Sequence, residues 1–309
     1  MSSSVLVTGA SGFIGWHAVK LLIEAEFDVH VSARHPILDM PAGVTFHPVD
    51  LLAVGQSDKL IEAAKPSHLL HLAWNAEPKA FWNAQDNLAW LASSLALYRS
   101  FANAGGTRAV FAGSCAEYDW SAPILSERTT ALNPDTLYGV CKDALRRVVE
   151  KAAINDSVSF AWARVFWLYG PREQPGRLVS DLISGLLAGK EVPCTSGKQR
   201  RDFMHVEDVA GALVKLMMGN VSGAVNIGSG SAESIENVVA YVGQLIGCPE
   251  LVKMGVLGSG GDEPDEIVAD SAVLKNDVAF IPKHNLQNGL ADTVAWWRAH
   301  STFSKSYSR

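Results

Sequence analysis

The chain has 309 residues, of which 48% are hydrophobic and 19% charged, a composition typical of a folded protein with a large apolar core. The formal net charge of −6 argues against a nucleic-acid partner, which needs a basic surface. No apolar run approaches the ~20 residues of a membrane span and no basic segment precedes the first apolar run, so we expect a cytoplasmic protein. Cysteines 115, 141, 194 and 248 lack paired metal-ligand spacing, which predicts reduced thiols and no metal site.

Short β-branched runs alternate with helical segments through the first half of the chain, which predicts a parallel sheet covered on both faces. Strands are predicted at 4–7, 28–32, 44–46, 68–72, 109–112 and 159–164. Helices are predicted after Gly12, near 59–64, from about 80 to 103, and at 138–153. After residue 171 the alternation becomes irregular, with helices predicted at 176–187, 206–218, 235–246 and 291–299 and a strand at 224–227.

A glycine-rich turn follows the first strand, in the segment Thr8-Gly9-Ala10-Ser11-Gly12-Phe13-Ile14-Gly15. Gly9 allows a tight turn, Gly12 lets the backbone approach a pyrophosphate, and Gly15 lets the helix pack close to the strand. The N–H groups at the start of the helix then face an anion. An ordinary strand-to-helix turn is the alternative interpretation of these glycines.

A second, independent pattern is formed by Ser114, Tyr138 and Lys142. Tyr138 and Lys142 are four residues apart on a predicted helix, so the phenol and the ammonium share one face. A free tyrosine has a pKa of roughly 10, and a neighbouring lysine charge is expected to lower it toward a useful range. Ser114 ends a predicted strand, where its hydroxyl can hold a substrate oxygen opposite Tyr138. A surface helix pair is the alternative for the tyrosine and lysine alone.

Together these segments resemble the extended short-chain dehydrogenase/reductase superfamily, in its epimerase, dehydratase and reductase branch, along nearly the whole chain. The resemblance implies a catalytic Ser114, Tyr138 and Lys142, and a dinucleotide held by the glycine turn together with Tyr138 and Lys142. It also implies that Asp50 and Leu51 contact adenine. The other cofactor-contacting residues that it implies are Leu72, Ala73, Trp74 and Asn87.

The resemblance further implies a doubly wound parallel Rossmann sheet with a smaller, interleaved C-terminal α/β substrate lobe. We expect the dinucleotide-binding domain at 1–168, with 203–228 packing back on it, the substrate lobe at 169–202 and 229–300, and a frayed tail at 301–309. Family members pair the helices corresponding to 87–101 and 138–149 in a dimer interface, which predicts a homodimer; coverage of the sheet within one subunit is the alternative.

The end of the second strand favours NADP(H) over NAD(H). An acidic residue at this position bonds the ribose 2′-hydroxyl of NAD, whereas a nearby arginine accepts the 2′-phosphate of NADP. The chain has Ser32-Ala33-Arg34 there, without an acid. A solvated loop arginine is the alternative interpretation of Arg34.

The residues after Ser114 indicate which reaction is expected. Family dehydratases carry an acid pair here, whereas this chain has Cys115 and Ala116, with Glu117 one place later in an apolar register. A 4,6-dehydratase is therefore disfavoured. The leading hypothesis is an NADPH-dependent reductase of a nucleotide-linked deoxy-keto-sugar. The alternatives are an NAD-dependent 4-epimerase and a non-catalytic dinucleotide-binding sensor, whose usual mark, a broken tyrosine/lysine pair, is missing here.

The predicted nucleotide-sugar site consists of Trp74, Cys115, Phe166, Trp167, Arg177 and Arg201, with Arg201 in the position that grips a diphosphate in the family. Trp74, Trp82 and Trp167 are candidates for stacking on a sugar or base. The acid-rich loop 261–266 is unfavourable beside a diphosphate unless it points away or pairs with Arg177 or Lys198. We expect His205 to be a structural, hydrogen-bonded residue.

Overall fold

The computed structural model describes residues 3–78, 80–258 and 264–300. Its strands are β1 (Ser4–Thr8), β2 (Asp28–Ala33), β3 (Val44–Pro48), β4 (His68–His71), β5 (Arg108–Ser114), β6 (Ile124–Leu125), β7 (Ser159–Val165), β8 (Trp167–Tyr169), β9 (Val192–Pro193), β10 (Arg200–Arg201), β11 (Phe203–His205), β12 (Gly223–Ile227), β13 (Glu233–Ser234), β14 (Val252–Lys253) and β15 (Glu266–Ala269). Its α-helices are α1 (Phe13–Glu24), α2 (Gln56–Ala64), α3 (Asp86–Asn103), α4 (Leu137–Asp156), α5 (Leu178–Leu187), α6 (Val206–Met218), α7 (Ile235–Ile246), α8 (Ala272–Asn276) and α9 (Leu286–Ala299).

Seven parallel strands form the central sheet in the order β12-β7-β5-β4-β1-β2-β3. The order reverses between β1 and β4, and ligands of such sheets bind at the carboxyl ends of the strands at this point. The predicted doubly wound Rossmann sheet is therefore confirmed. Its strands are apolar on both sides because helices cover both faces.

Two apolar layers enclose this sheet. Helices α1 and α6 pack against each other over one face, where their side chains join those of β1 and β2 in one core cluster. Helices α2, α3 and α4 pack over the other face around a second cluster. Helix α6 begins with two acidic residues in its first turn and carries a lysine in its last turn, which suits the helix dipole.

A second region surrounds a four-stranded sheet with the order β13-β10-β15-β6, and helices α5, α7 and α9 share a separate apolar core. The sequence did not predict these strands, which have two to four residues, because such short segments show no alternation. None of the described helices has the length and apolarity needed to cross a bilayer.

Two predicted helices differ from those observed. The segment predicted from 80 to 103 is interrupted: a 3₁₀ turn at Phe81–Asn83 precedes α3, which begins at Asp86. The last helix begins at Leu286 instead of residue 291, because the Asn285 side chain accepts a hydrogen bond from the Asn288 amide and caps it.

Candidate active site

The glycine turn lies at the point where the strand order reverses. Gly9 has φ of +73°, and a Cβ there would lie 2.6 Å from the Ala73 amide nitrogen. A Cβ on Gly15 would lie 2.2 Å from the Gly9 carbonyl oxygen, so the α1 backbone sits directly against the turn. Gly12 is the N-cap of α1 and has no side chain to bond the first-turn amides. These amides are therefore available to an anion, and the turn fits a pyrophosphate.

The other predicted cofactor residues lie at the same edge of the sheet. Ser11, Phe13 and Ile14 belong to the turn and the start of α1, while exposed Arg34 directly follows β2. The remaining residues follow β3 or β4, as the resemblance implies: Asp50, Leu51, Leu72, Ala73 and Trp74.

Asn87 is fully engaged within the protein. Its side-chain oxygen accepts a hydrogen bond from Trp74 Nε1 at 2.8 Å, and its amide nitrogen donates to the Phe81 and Ala84 carbonyls, each at 2.8 Å. Asn87 therefore holds Trp74 and the 81–84 segment in place, and its contact with a dinucleotide remains a prediction.

The structure brings Ser114, Tyr138 and Lys142 together. Ser114 is the last residue of β5 and lies close enough to Tyr138, on the first turn of α4, to interact with its phenol. One turn later, Lys142 Nζ donates to the Ala112 carbonyl at 2.8 Å. Helix α4 approaches this closely because residue 139 is glycine: a Cβ there would lie 2.4 Å from the Ala116 carbonyl oxygen.

The electrostatics of this group differ from the expectation. Burial raises the pKa of Tyr138 above its usual value, and it lowers the pKa of Lys142 to about 7. The Lys142 ammonium lies 3.9 Å from the centroid of a Trp74 ring and 5.8 Å from that of Tyr138. The expected lowering of the Tyr138 pKa is therefore wrong for this arrangement, because desolvation by burial is the largest influence on that pKa and raises it.

An aromatic wall surrounds the Tyr138 ring, formed by Trp74, Phe81 and Trp82. All three rings meet Tyr138 edge to face, with centroid distances of 6.3, 4.9 and 6.0 Å. The Arg177 guanidinium lies 5.5 Å from the Phe81 ring and donates to the Ala76 carbonyl. Sequence reasoning overlooked Phe81, although the aromatic pair 81–82 directly after an irregular segment was a visible signal.

Glu117 supports Ser114 from behind. The Glu117 side chain is fully buried and accepts hydrogen bonds from the Ser114 amide at 2.8 Å and from Trp162 Nε1 at 2.9 Å. It also forms an ion pair with Arg164 at 2.8 Å. With these partners Glu117 is held away from solvent, so it positions the serine and does not replace the missing dehydratase acid.

The predicted substrate residues form two groups. Cys115 and Phe166 are buried in one small cluster, and the Arg201 guanidinium lies 5.3 Å from the Trp167 ring. Arg201 also donates to the Pro264 carbonyl at 2.9 Å. Arg177 belongs to the other group, at the aromatic wall.

The acid-rich loop is partly described. Residues 261–263 lie outside the described part of the chain, but Glu266 is in β15 and pairs with Arg200 at 2.8 Å. Arg177 and Lys198 were the cations considered for pairing with this loop if it does not point away. The neighbouring strand β10 supplies the cation instead, because Arg200 is in register with Glu266.

Comparison with known proteins identifies the family. The sequence model of the NAD dependent epimerase/dehydratase family matches residues 5–228. A probable UDP-glucuronate 4-epimerase of Rhizobium meliloti is 25% identical, over 96% of this chain and 99% of the relative. The structure of MoeE5 in complex with UDP-glucuronic acid and NAD is 30% identical, with a TM-score of 0.85 over 96% of this chain and 99% of that one. A UDP-glucose 4-epimerase of Thermotoga maritima, with UDP-glucose, shares the fold with a TM-score of 0.86 and 22% identity, over 96% and 99%.

Proposed function

The chain belongs to the NAD dependent epimerase/dehydratase family, and from this premise we propose that it catalyses NAD(P)-dependent redox chemistry on a nucleotide-linked sugar. The observation that carries the proposal is the convergence of Ser114, Tyr138 and Lys142 at the carboxyl edge of the sheet. The relatives named above act on or bind UDP-sugars, which supports the substrate class.

The three side chains have distinct roles in this proposal. The dinucleotide, when bound by the glycine turn, supplies or accepts the hydride. Tyr138 exchanges a proton with the reacting sugar oxygen, and the Ser114 hydroxyl, which lies close to the phenol, orients that oxygen. Lys142, beside the phenol, holds the ribose hydroxyls.

For the cofactor we propose NADP(H). The support is local: β2 ends at Ala33, the exposed Arg34 follows, and no carboxylate occupies the position that would repel a 2′-phosphate. The corresponding reaction is reduction of a nucleotide-linked keto-sugar. An NAD-dependent 4-epimerase is the second candidate, and it is favoured by the epimerase names of the relatives and by the NAD in the MoeE5 complex.

Cofactor titration distinguishes the two candidates. We expect NADPH to quench the tryptophan fluorescence at lower concentration than NADH, and Arg34→Leu to remove this preference without weakening NADH binding. A tightly held NAD that survives purification, together with interconversion of UDP-glucose and UDP-galactose without net change in the dinucleotide, would instead establish the epimerase.

Catalysis itself is tested at Tyr138. We expect Tyr138→Phe to lower turnover by about 10²–10⁴-fold while dinucleotide affinity is retained, because only the proton transfer is lost. Tyr241→Phe, a half-buried tyrosine on α7, is the matched control and should keep full turnover. An active Tyr138→Phe enzyme would contradict the catalytic assignment.

We also propose a homodimer through α3 and α4. The support is a set of exposed apolar side chains on these helices, namely Leu88, Val140, Val148 and Ile154. Light scattering should give the dimer mass for the native chain and the monomer mass for Val148→Glu, with Met218→Glu on α6 as the control.

A further inference from the structure

Histidine and carboxylate side chains converge where α1, α6 and the segment before α9 meet. His17 comes from α1, His205 ends β11, Glu207 is in the first turn of α6, and His284 precedes α9. None of these residues has a role in the proposed redox reaction. The ring nitrogens of His205 and His284 and a Glu207 oxygen offer donor atoms that all lie within 4.8 Å of one another.

His205 is the innermost member of this cluster. Its exposure is 1%, and neither ring nitrogen has a hydrogen-bond partner among the residues that the structure describes. The expectation that His205 is a hydrogen-bonded structural residue is therefore wrong. A neutral imidazole carries a lone pair on one ring nitrogen, which is the atom that binds a metal ion. A buried polar group without a partner is costly, so it points to a missing ligand.

His284 is oriented by the Asp208 carboxylate. Asp208 accepts hydrogen bonds from the backbone amides of Lys283 at 2.8 Å and His284 at 2.9 Å, and it contacts His284 Nδ1 at 2.9 Å. Nδ1 is therefore the protonated nitrogen, and the Nε2 lone pair faces Glu207 Oε2 at 4.0 Å. A carboxylate that fixes the outer nitrogen of a histidine in this way is a regular feature of metal sites.

His17 adds a third lone pair. Its Nε2 donates to the Pro171 carbonyl at 3.1 Å, so the unprotonated Nδ1 faces Glu207 Oε1 at 4.0 Å. Imidazole nitrogens of His17 and His284 thus each lie 4.0 Å from a Glu207 carboxylate oxygen, and a cation between these atoms would stabilise the arrangement.

We propose that His205, Glu207 and His284 bind a divalent transition-metal ion of the zinc type. Ligand bonds of roughly 2.0–2.2 Å bring tetrahedral donor atoms to about 3.4 Å from one another, so modest side-chain shifts close the site. Glu207, with a side chain 49% exposed, is free to make this shift and leaves the site open to solution. Solvent would supply the fourth ligand, since Asp292 Oδ2, 3.6 Å from His205 Nε2, lies outside the group of mutually close donor atoms. Two imidazoles with carboxylates favour zinc, cobalt or nickel over calcium and magnesium.

The ion would join two parts of the chain that are distant in sequence. His205 and Glu207 belong to the β11–α6 junction beside the seven-stranded sheet, whereas His284 leads into α9, which packs with α5 and α7. Because the ligand set assembles only in the folded protein, metal binding should raise the melting temperature.

The test uses the full-length, untagged chain after treatment with a chelator, with Co²⁺ and Zn²⁺ as probes. We expect one equivalent of Co²⁺ to give the visible absorption of a four-coordinate site, Zn²⁺ to displace it, and both ions to raise Tm. Glu207→Gln should weaken binding at least tenfold, whereas Glu236→Gln, an exposed carboxylate in the first turn of α7, should leave it unchanged.

His284→Gln is the second variant, with its fold checked by circular dichroism, and it should also lose the cobalt spectrum. Absence of binding below millimolar metal, or equal binding by native protein and Glu207→Gln, would overturn the proposal. Tyr138→Phe should bind metal normally, so the outcome is independent of the proposed redox function.

Discussion

Two buried carboxylates organise the two regions of the molecule in different ways. Glu117, beside the seven-stranded sheet, is compensated by a cation, because Arg164 on β7 pairs with it at 2.8 Å. Asp202, between β10 and β11, is compensated by backbone amides: those of Ser229, Gly230 and Ala269 donate to it at 2.8, 2.9 and 3.1 Å. The Ser229 hydroxyl donates as well.

The two carboxylates stabilise their regions by different interactions. The Glu117 ion pair connects the ends of two adjacent long strands, so it supports a geometry that the sheet hydrogen bonds already impose. The amides around Asp202 come from the loop after β12 and from the end of β15, so this carboxylate substitutes for regular pairing where strands are short. The Glu117 ion pair therefore depends on charge, whereas the hydrogen bonds to Asp202 depend on the positions of its acceptor oxygens.

The largest effect is expected at Glu117. Glu117→Gln leaves the Arg164 guanidinium buried without an anion, so we expect the free energy of unfolding to fall by about 3–5 kcal/mol. Urea denaturation measures this loss. Glu150→Gln, which removes the 40%-exposed partner of Arg146, is the control and should cost less than about 1 kcal/mol. If Glu117→Gln lowers the free energy of unfolding no more than Glu150→Gln does, the buried ion pair does not stabilise this region.

A smaller effect is expected at Asp202. Asp202→Asn keeps the size but replaces an acceptor oxygen by a donor, so some of the amides of 229, 230 and 269 lose their partner. We expect a loss of about 1–3 kcal/mol in the free energy of unfolding, since no buried cation is left unpaired. If Asp202→Asn lowers the free energy of unfolding more than Glu117→Gln does, the amide hydrogen bonds to Asp202 stabilise the protein more than the Glu117 ion pair.

Glu173 is a buried carboxylate whose charge is less well compensated than that of Glu117 or Asp202. Burial raises its pKa from 4.5 to about 8, against the opposing effects of Arg177 and of the Ser180 amide, which donates to it at 3.0 Å. Because the folded state then binds the Glu173 proton more tightly than the unfolded state, the contribution of Glu173 to stability is greatest below pH 4.5 and is lost as the pH rises through 8. The slope approaches about 1.4 kcal/mol per pH unit within this window.

Glu173→Gln should remove this slope and stabilise the protein at pH 8. Unfolding free energies at intervals from pH 5 to 8 provide the measurement, and Glu236→Gln provides the control with an unchanged slope. An identical pH profile for native protein and Glu173→Gln would mean that Glu173 is ionised in the folded state.

Sequence reasoning succeeded where the deciding information is local. Apolar runs at strand spacing, the glycines of the turn and the four-residue spacing of Tyr138 and Lys142 are visible within short windows of sequence. They account for the observed seven-stranded sheet and for the position of Tyr138 beside Lys142. Contacts between segments that are distant in sequence were not predicted. They pair Arg164 with Glu117 and Arg200 with Glu266, and they bring His284 close to His205. Cysteine spacing predicted no metal site, whereas the proposed one depends on histidines that converge only after folding.

The smallest effect is expected for the exposed ion pair of the second region. Arg200 and Glu266 are 2.8 Å apart, the same separation as Arg164 and Glu117, but their side chains are 53% and 34% exposed instead of 2% and 0%. Water screens the exposed charges, so a double-mutant cycle with Arg200→Gln and Glu266→Gln should give a coupling energy of about 0.2–1 kcal/mol. The cycle with Arg164→Gln and Glu117→Gln should give a coupling of several kcal/mol, because either single change leaves a buried charge that the double change removes. Equal couplings would mean that distance, and not desolvation, sets the strength of these pairs.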